Sequence, residues 1–119
     1  MILRGALLAG LIMIGGAQAQ QATSAPGAVL RALDKINGRT ADIELAVGAT
    51  EEFGRLRVTL ADCRYPAGNP SGDAYAELEI SELGRSGTVF SGWMIASSPA
   101  LNALDHPRYD VWVMRCTTS

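Results

Sequence analysis

Leu56, Val58 and Leu60 alternate with Arg55, Arg57 and Thr59, and Ala74, Ala76, Leu78 and Ile80 alternate with Tyr75, Glu77 and Glu79. A period of two sends apolar side chains to one face of a strand and polar ones to the other. Each such strand has one face to bury and one to wet. Val29 to Ile36, Asp42 to Val47 and Thr88 to Ala96 read as further strands. Val111-Trp112-Val113-Met114 is continuously apolar, as expected of a strand buried on both faces.

Turn chemistry separates these runs. Asn37-Gly38 offers the positive φ angles of a hairpin and joins the first two strands. Pro66 to Asp73 is a loop by composition, and Gly84-Arg85-Ser86-Gly87 is a second hairpin connection. Glu51-Glu52 reads as a solvated turn before a strand. The expectation is an all-β domain, a small antiparallel sandwich or barrel of about six strands. One short helical turn is predicted over Pro99–Leu104, with Ser98 as its N-cap and Pro99 at the first helical position.

The chain opens with an export signature. Arg4 supplies a positive charge, Gly5 to Gly16 an apolar stretch, and Ala17-Gln18-Ala19 a small-x-small cleavage site. A permanent membrane span needs about 20 apolar residues, so this stretch is short for an anchor, though an uncleaved anchor is the alternative. Residues 1–19 are therefore read as a signal peptide, 20–27 as a flexible lead-in and 28–119 as one β domain. The implied location is the periplasm, with no transmembrane span after signal removal.

Cys63 and Cys116 are the only cysteines, and both follow the cleavage site. In an oxidising compartment an even pair implies a disulfide, and no Cys-x-x-Cys spacing supports a redox-active pair instead. Closing a loop of this length is worth roughly 4 kcal/mol in the chain-entropy picture. The Cα atoms are expected about 4.4–6.8 Å apart.

Composition removes several functions. Ten Lys and Arg stand against twelve Asp and Glu, for a net charge of −2. No basic stripe interleaved with aromatics is present, so nucleic acid is a poor partner. One histidine and a bridged cysteine pair do not furnish a zinc site. Asp62, Asn69 and Asp73 carry oxygen ligands but lack the spacing of a calcium loop. No metal or cofactor is expected.

His106, with Ser97 or Ser98 and Asp105 or Asp110, spells a Ser-His-Asp set without any surrounding motif of that chemistry. The reading adopted is a loop histidine bonded to a neighbouring carbonyl or carboxylate, and the chain is read as non-enzymatic. Glu77 and Glu79 share a strand face and could flank a sugar, but a solvated, edge-protecting pair is the plainer reading. Arg55 and Arg57 are cross-strand partners for acids. Core positions are expected for both tryptophans, with Phe90 and Trp93 on opposite faces unless Gly92 marks a bulge. The alternative leaves one tryptophan on the surface with Tyr65, Tyr75 or Tyr109. The candidate binding surface so defined is Trp93, Tyr75, Tyr109, Glu77 and Glu79.

Four stretches carry a resemblance: "LRALDKINGR" from Leu30, "EFGRLRVTLADCRYP" from Glu52, "GDAYAELEI" from Gly72 and "FSGWMIASSPALNALDHPRYDVWVMRC" from Phe90. Together they resemble the bacterial family known as domain of unknown function 2155. The resemblance implies a small exported protein, usually with this cysteine pair, and carries over no catalytic residue. It also implies a genomic neighbourhood, since members are often encoded beside a small accessory subunit of respiratory complex I. Two functions are expected from these features. The first is a periplasmic interaction domain, an accessory or assembly factor of an inner-membrane respiratory complex. The alternative is a glycan- or peptide-binding module.

Overall fold

A computed structural model describes residues 21–118, and the predicted signal peptide lies outside the described residues. The chain forms eight strands: β1 (Ala22–Ser24), β2 (Gly27–Asp34), β3 (Thr40–Ala46), β4 (Thr50–Phe53), β5 (Leu56–Pro66), β6 (Tyr75–Glu82), β7 (Thr88–Ile95) and β8 (Tyr109–Thr117). They make two antiparallel sheets. In the first, β5, β6 and β7 lie side by side, and β1 and β4 share the other side of β5. In the second the order is β3-β2-β8. The sheets face each other as an open sandwich.

The alternation read in the sequence fills the space between them. Leu56, Val58 and Leu60 of β5 and Leu78 and Ile80 of β6 meet Leu30, Ile43, Val111 and Val113 of the second sheet in one buried core. Burying each such side chain is worth about 1.5–3 kcal/mol. The parity of β5 changes at Ala61, where a bulge opposes Leu60 and Asp62 to adjacent residues of β6. The extra residue turns Asp62 outward and Cys63 inward. Cys63 then bridges Cys116 of β8 with a Cα separation of 5.9 Å, as expected, and covalently ties one sheet to the other.

Some expectations need correction. The predicted flexible lead-in, 20–27, contains β1, whose Ala22 and Ser24 pair with Pro66 and Arg64, and Gly27 already belongs to β2. Glu51 and Glu52 sit in β4 rather than a turn, with Glu52 opposite Arg57. Both short strands lack an apolar alternation of their own and exist because they complete the ladder of β5. No helix forms over Pro99–Leu104. Ser98 C=O accepts the Leu101 N–H at 3.0 Å in a single turn, too little to propagate. β8 is not buried on both faces: Val111 and Val113 point into the core while Trp112 and Met114 are half-buried outside.

The Asn37-Gly38 hairpin is present but wider than a two-residue turn, with Gly38 at φ +78° donating its N–H to Asp34 C=O at 2.8 Å. The Gly84–Gly87 connection joins β6 to β7 as read.

Candidate functional site

The outer face of the five-stranded sheet gathers most of the residues singled out as a binding surface. On β6, Tyr75, Glu77 and Glu79 alternate with buried Ala76, Leu78 and Ile80, so their side chains leave the core together. Register places Glu77 between Asp62 of β5 and Trp93 of β7. Tyr75 lies between Arg64 and Ile95, and Glu79 between Thr59 and Ser91. Because the Ala96 N–H bonds to Ala74 C=O at 2.9 Å, the alternation of the ladder makes Glu77–Trp93 a non-hydrogen-bonded pair. In such pairs the Cα atoms approach to about 4.5 Å and the side chains are closest.

Trp93 is 38% exposed, against the expectation of a core position. Phe90 points inward and Trp93 outward, as the alternation requires. Gly92 faces the interior between them. A Cβ there would stand 3.1 Å from Nδ2 of Asn102, the group that donates to Trp93 C=O at 2.8 Å. The Arg64 guanidinium reaches over the Trp93 ring, 5.8 Å from its centroid, while its Nε donates to Asp62 Oδ2 at 2.9 Å. A cation–π contact at an exposed site contributes about 0.5–1 kcal/mol. The result is a patch of one indole, one phenol, one guanidinium and three carboxylates.

Tyr109 does not belong to it. It is 1% exposed, at the start of β8, with its ring edge-on to Phe53 at 6.1 Å. Its hydroxyl accepts the Arg55 N–H at 3.1 Å. The inward parity of Val111 and Val113 extends two residues back and carries Tyr109 inside. Glu77 and Glu79 are not an edge pair either, because β6 is flanked by β5 and β7. Arg64 and Asp62 joined the patch unseen, since their parity depends on the bulge at Ala61. The three-residue step from Leu60 to Cys63, where two were due, was the available signal.

The polar residues of the 96–108 connection go to separate structural tasks. The Ser97 hydroxyl and amide both donate to Asp73, at 2.6 and 3.0 Å, clamping this connection to the loop before β6. Burial pushes the Asp73 carboxyl up, but these bonds and that from the Ala74 amide outweigh it and hold it below its ordinary value. His106 is buried, with Nε2 2.8 Å from Glu82 Oε1. Its Nδ1 accepts the amides of Arg108 and Tyr109 at 3.0 and 3.1 Å. The hydrogen bond from His106, aided by Arg85, keeps the Glu82 carboxyl below its ordinary value. Arg108 donates to both oxygens of buried Asp34, the nearest contact being 2.8 Å from Nη2, and holds that carboxyl low. Serine and histidine thus have different carboxylates, and the Ser-His-Asp set spelled in the sequence is not assembled. Asp62, one of the oxygen-bearing residues that lacked a calcium-loop spacing, pairs with Arg64.

A family model described as "Uncharacterized protein conserved in bacteria (DUF2155)" matches residues 28–116. The "Uncharacterized protein RP359" of Rickettsia prowazekii (strain Madrid E) is 31% identical over 88 residues, covering 71% of this chain and 57% of that protein. The chain therefore spans a little over half the length of that relative. No solved structure matches.

Proposed function

This chain belongs to the DUF2155 family of bacterial proteins, and from that premise we propose that it is a non-enzymatic interaction domain of the periplasm. Its working surface is the outer face of the five-stranded sheet. The observation that carries this reading is Trp93, exposed beside Glu77 and beneath the Arg64 guanidinium. Trp, Tyr and Arg are the residue types that dominate binding energy at protein interfaces, where they fill or stack into desolvated pockets. Their backbones are paired within the sheet, so little backbone ordering opposes binding.

The export signature and the disulfide support a periplasmic location, since such bonds persist in oxidising compartments. The genomic neighbourhood implied by the family resemblance supports an accessory or assembly role at an inner-membrane respiratory complex, complex I. Among the described residues no helix is long and apolar enough to cross a membrane, which fits a domain docked on a complex from one side.

A glycan-binding module would use the same Trp93, with Glu77 and Glu79 accepting sugar hydroxyls. Arg64 already covers the indole face on which a sugar would stack, and this favours a protein partner. The test is cross-linking and purification of the tagged protein from gently solubilised membranes. A respiratory-complex subunit is expected with the native protein, reduced tenfold or more in Trp93→Ala and unchanged in Glu51→Ala. Recovery of no membrane partner, or full recovery with Trp93→Ala, would overturn the proposal. Quenching of tryptophan fluorescence by soluble cell-wall fragments would support the glycan module instead.

A further inference from the structure

We propose that one end of the sandwich, separate from the Trp93 face, is a membrane-facing surface that settles on anionic phospholipid headgroups. Three hairpin turns and the start of β8 meet there: residues 34–39 between β2 and β3, 52–57 around the β4–β5 turn, 82–87 between β6 and β7, and 105–109. Contacts between these segments hold the end together. Tyr109 packs edge-on against Phe53, its hydroxyl accepts the Arg55 N–H, and His106 reaches Glu82. The four segments hold six Lys and Arg against four Asp and Glu, whereas the rest of residues 21–118 holds three against eight. A chain of negative net charge thus gathers its positive charge at one end.

Most acids at this end are already matched. Asp34 is paired with Arg108, Glu82 with His106 and Arg85, and Glu52 stands 3.9 Å from Arg57. Asp105 is the one exposed acid of these segments without a cation partner among the described residues. Against it stand three exposed cations, Lys35, Arg39 and Arg55, which form no ion pair among the described residues. Each of the three is held in place. Lys35 Nζ donates to His106 C=O at 2.8 Å, the Arg39 guanidinium lies 4.8 Å from the Phe53 ring centroid, and Arg55 Nη2 donates to Leu83 C=O.

Ile36 stands between Lys35 and Arg39 in the β2–β3 turn and is 73% exposed. Its amide donates to Asp34 Oδ1 at 3.0 Å, which closes the turn that presents it. One exposed aliphatic is ordinary on a protein surface. Set among unpaired cations, it has the composition of an interfacial anchor: charge draws the protein to anionic headgroups, and the apolar tip enters the boundary beneath them. The arrangement selects a plane of lipid over an acidic peptide. The cations sit on separate turns, while the grooves lined by Pro99 and Trp112 and by Pro70 and Arg115 lie elsewhere. Trp93 follows Thr88, the first residue of β7, by five positions. At about 3.3 Å per residue it stands roughly 15 Å above the headgroups, free to meet a membrane complex from the side.

The test sediments the oxidised protein with vesicles of phosphatidylcholine, alone or mixed equally with phosphatidylglycerol. Tighter binding to the mixed vesicles is expected, falling as salt screens the charges. The neutral vesicles account for any hold by the apolar N-terminal stretch, which needs no anionic lipid. On mixed vesicles Arg39→Glu is expected to bind roughly fivefold more weakly or worse. Ile36→Ser, which keeps every charge, is expected to weaken binding as well. Arg115→Glu makes the same charge change away from this end and is expected to bind normally, as is Trp93→Ala, which separates this surface from the sheet face. Thermal midpoints check that each variant is folded. Equal binding to both vesicle types, or equal losses in Arg39→Glu and Arg115→Glu, would overturn the proposal. So would tighter binding to soluble polyglutamate than to mixed vesicles, which would assign this end to an acidic protein.

Discussion

Nε2 of His106 lies 2.8 Å from Oε1 of Glu82, and this bond joins the connection before β8 to the end of β6 in the other sheet. Nδ1 receives two backbone amides, so it carries a lone pair, and the ring proton sits on Nε2 facing the carboxylate. The histidine is a three-way buried connector. His106→Leu is expected to leave the Arg108 and Tyr109 amides without an acceptor and to cost about 1–3 kcal/mol. His106→Asn places an oxygen near the lost Nδ1 and is expected to recover part of that loss. Urea titration of the two variants checks the order, and equal destabilisation would remove Nδ1 from the account.

Cys63→Ser is expected to lower stability by roughly 2–5 kcal/mol. The bridge joins β5 in one sheet to β8 in the other. Chemical denaturation of the variant, compared with the reduced native protein, is the measurement. A loss below about 1 kcal/mol in both would mean that core packing alone docks β8.

Gly54 has φ +57°, and a Cβ there would stand 2.5 Å from the Tyr109 hydroxyl oxygen. Gly54→Ala thus combines a disfavoured backbone with displacement of the ring, at an expected cost of about 1–3 kcal/mol. Tyr109→Phe removes the hydroxyl that accepts the Arg55 amide. It also removes the atom that the new Cβ meets first. The double variant is therefore expected to be less destabilised than the sum of the singles, a coupling that a double-mutant cycle reads directly. Simple additivity would show that the backbone angle alone sets the cost.

Asp34, Asp42 and Glu82 all have carboxyls held below their ordinary values by hydrogen bonds, from Arg108, Arg31 and His106 respectively. A carboxyl lowered in the folded state favours folding wherever it is ionised, so its contribution is complete above the unfolded value of about 4. It drains as pH falls through the lowered native values. Thermal midpoints are expected to be level near neutrality and to drop below about pH 4. Asp34→Asn is expected to lower the midpoint at pH 7 and to flatten this acid dependence. An unchanged acid slope in the variant would show that Asp34 is not among the responsible groups.

The sequence by itself determined the class of fold, because period-two alternation can be buried only by stacking sheet faces. It also determined the pairing of Cys63 with Cys116, since two cysteines allow one intramolecular bridge, and it put Tyr75, Glu77 and Glu79 on one face by parity within a single strand. Tertiary structure decided what parity within one strand cannot reach. β1 and β4 have no apolar rhythm and become strands only because β5 offers unpaired backbone beside them. The bulge at Ala61 inverts the faces beyond it, and so delivers Arg64 and Asp62 to Trp93's neighbourhood. Val111 to Met114 looked buried on both sides because an apolar run records hydrophobicity without recording how many layers cover it. His106 found Glu82 through the docking of two sheets, a contact between residues 24 apart in sequence. Local periodicity reports the direction a side chain leaves its own strand; which groups meet across space depends on register, bulges and the packing of sheets.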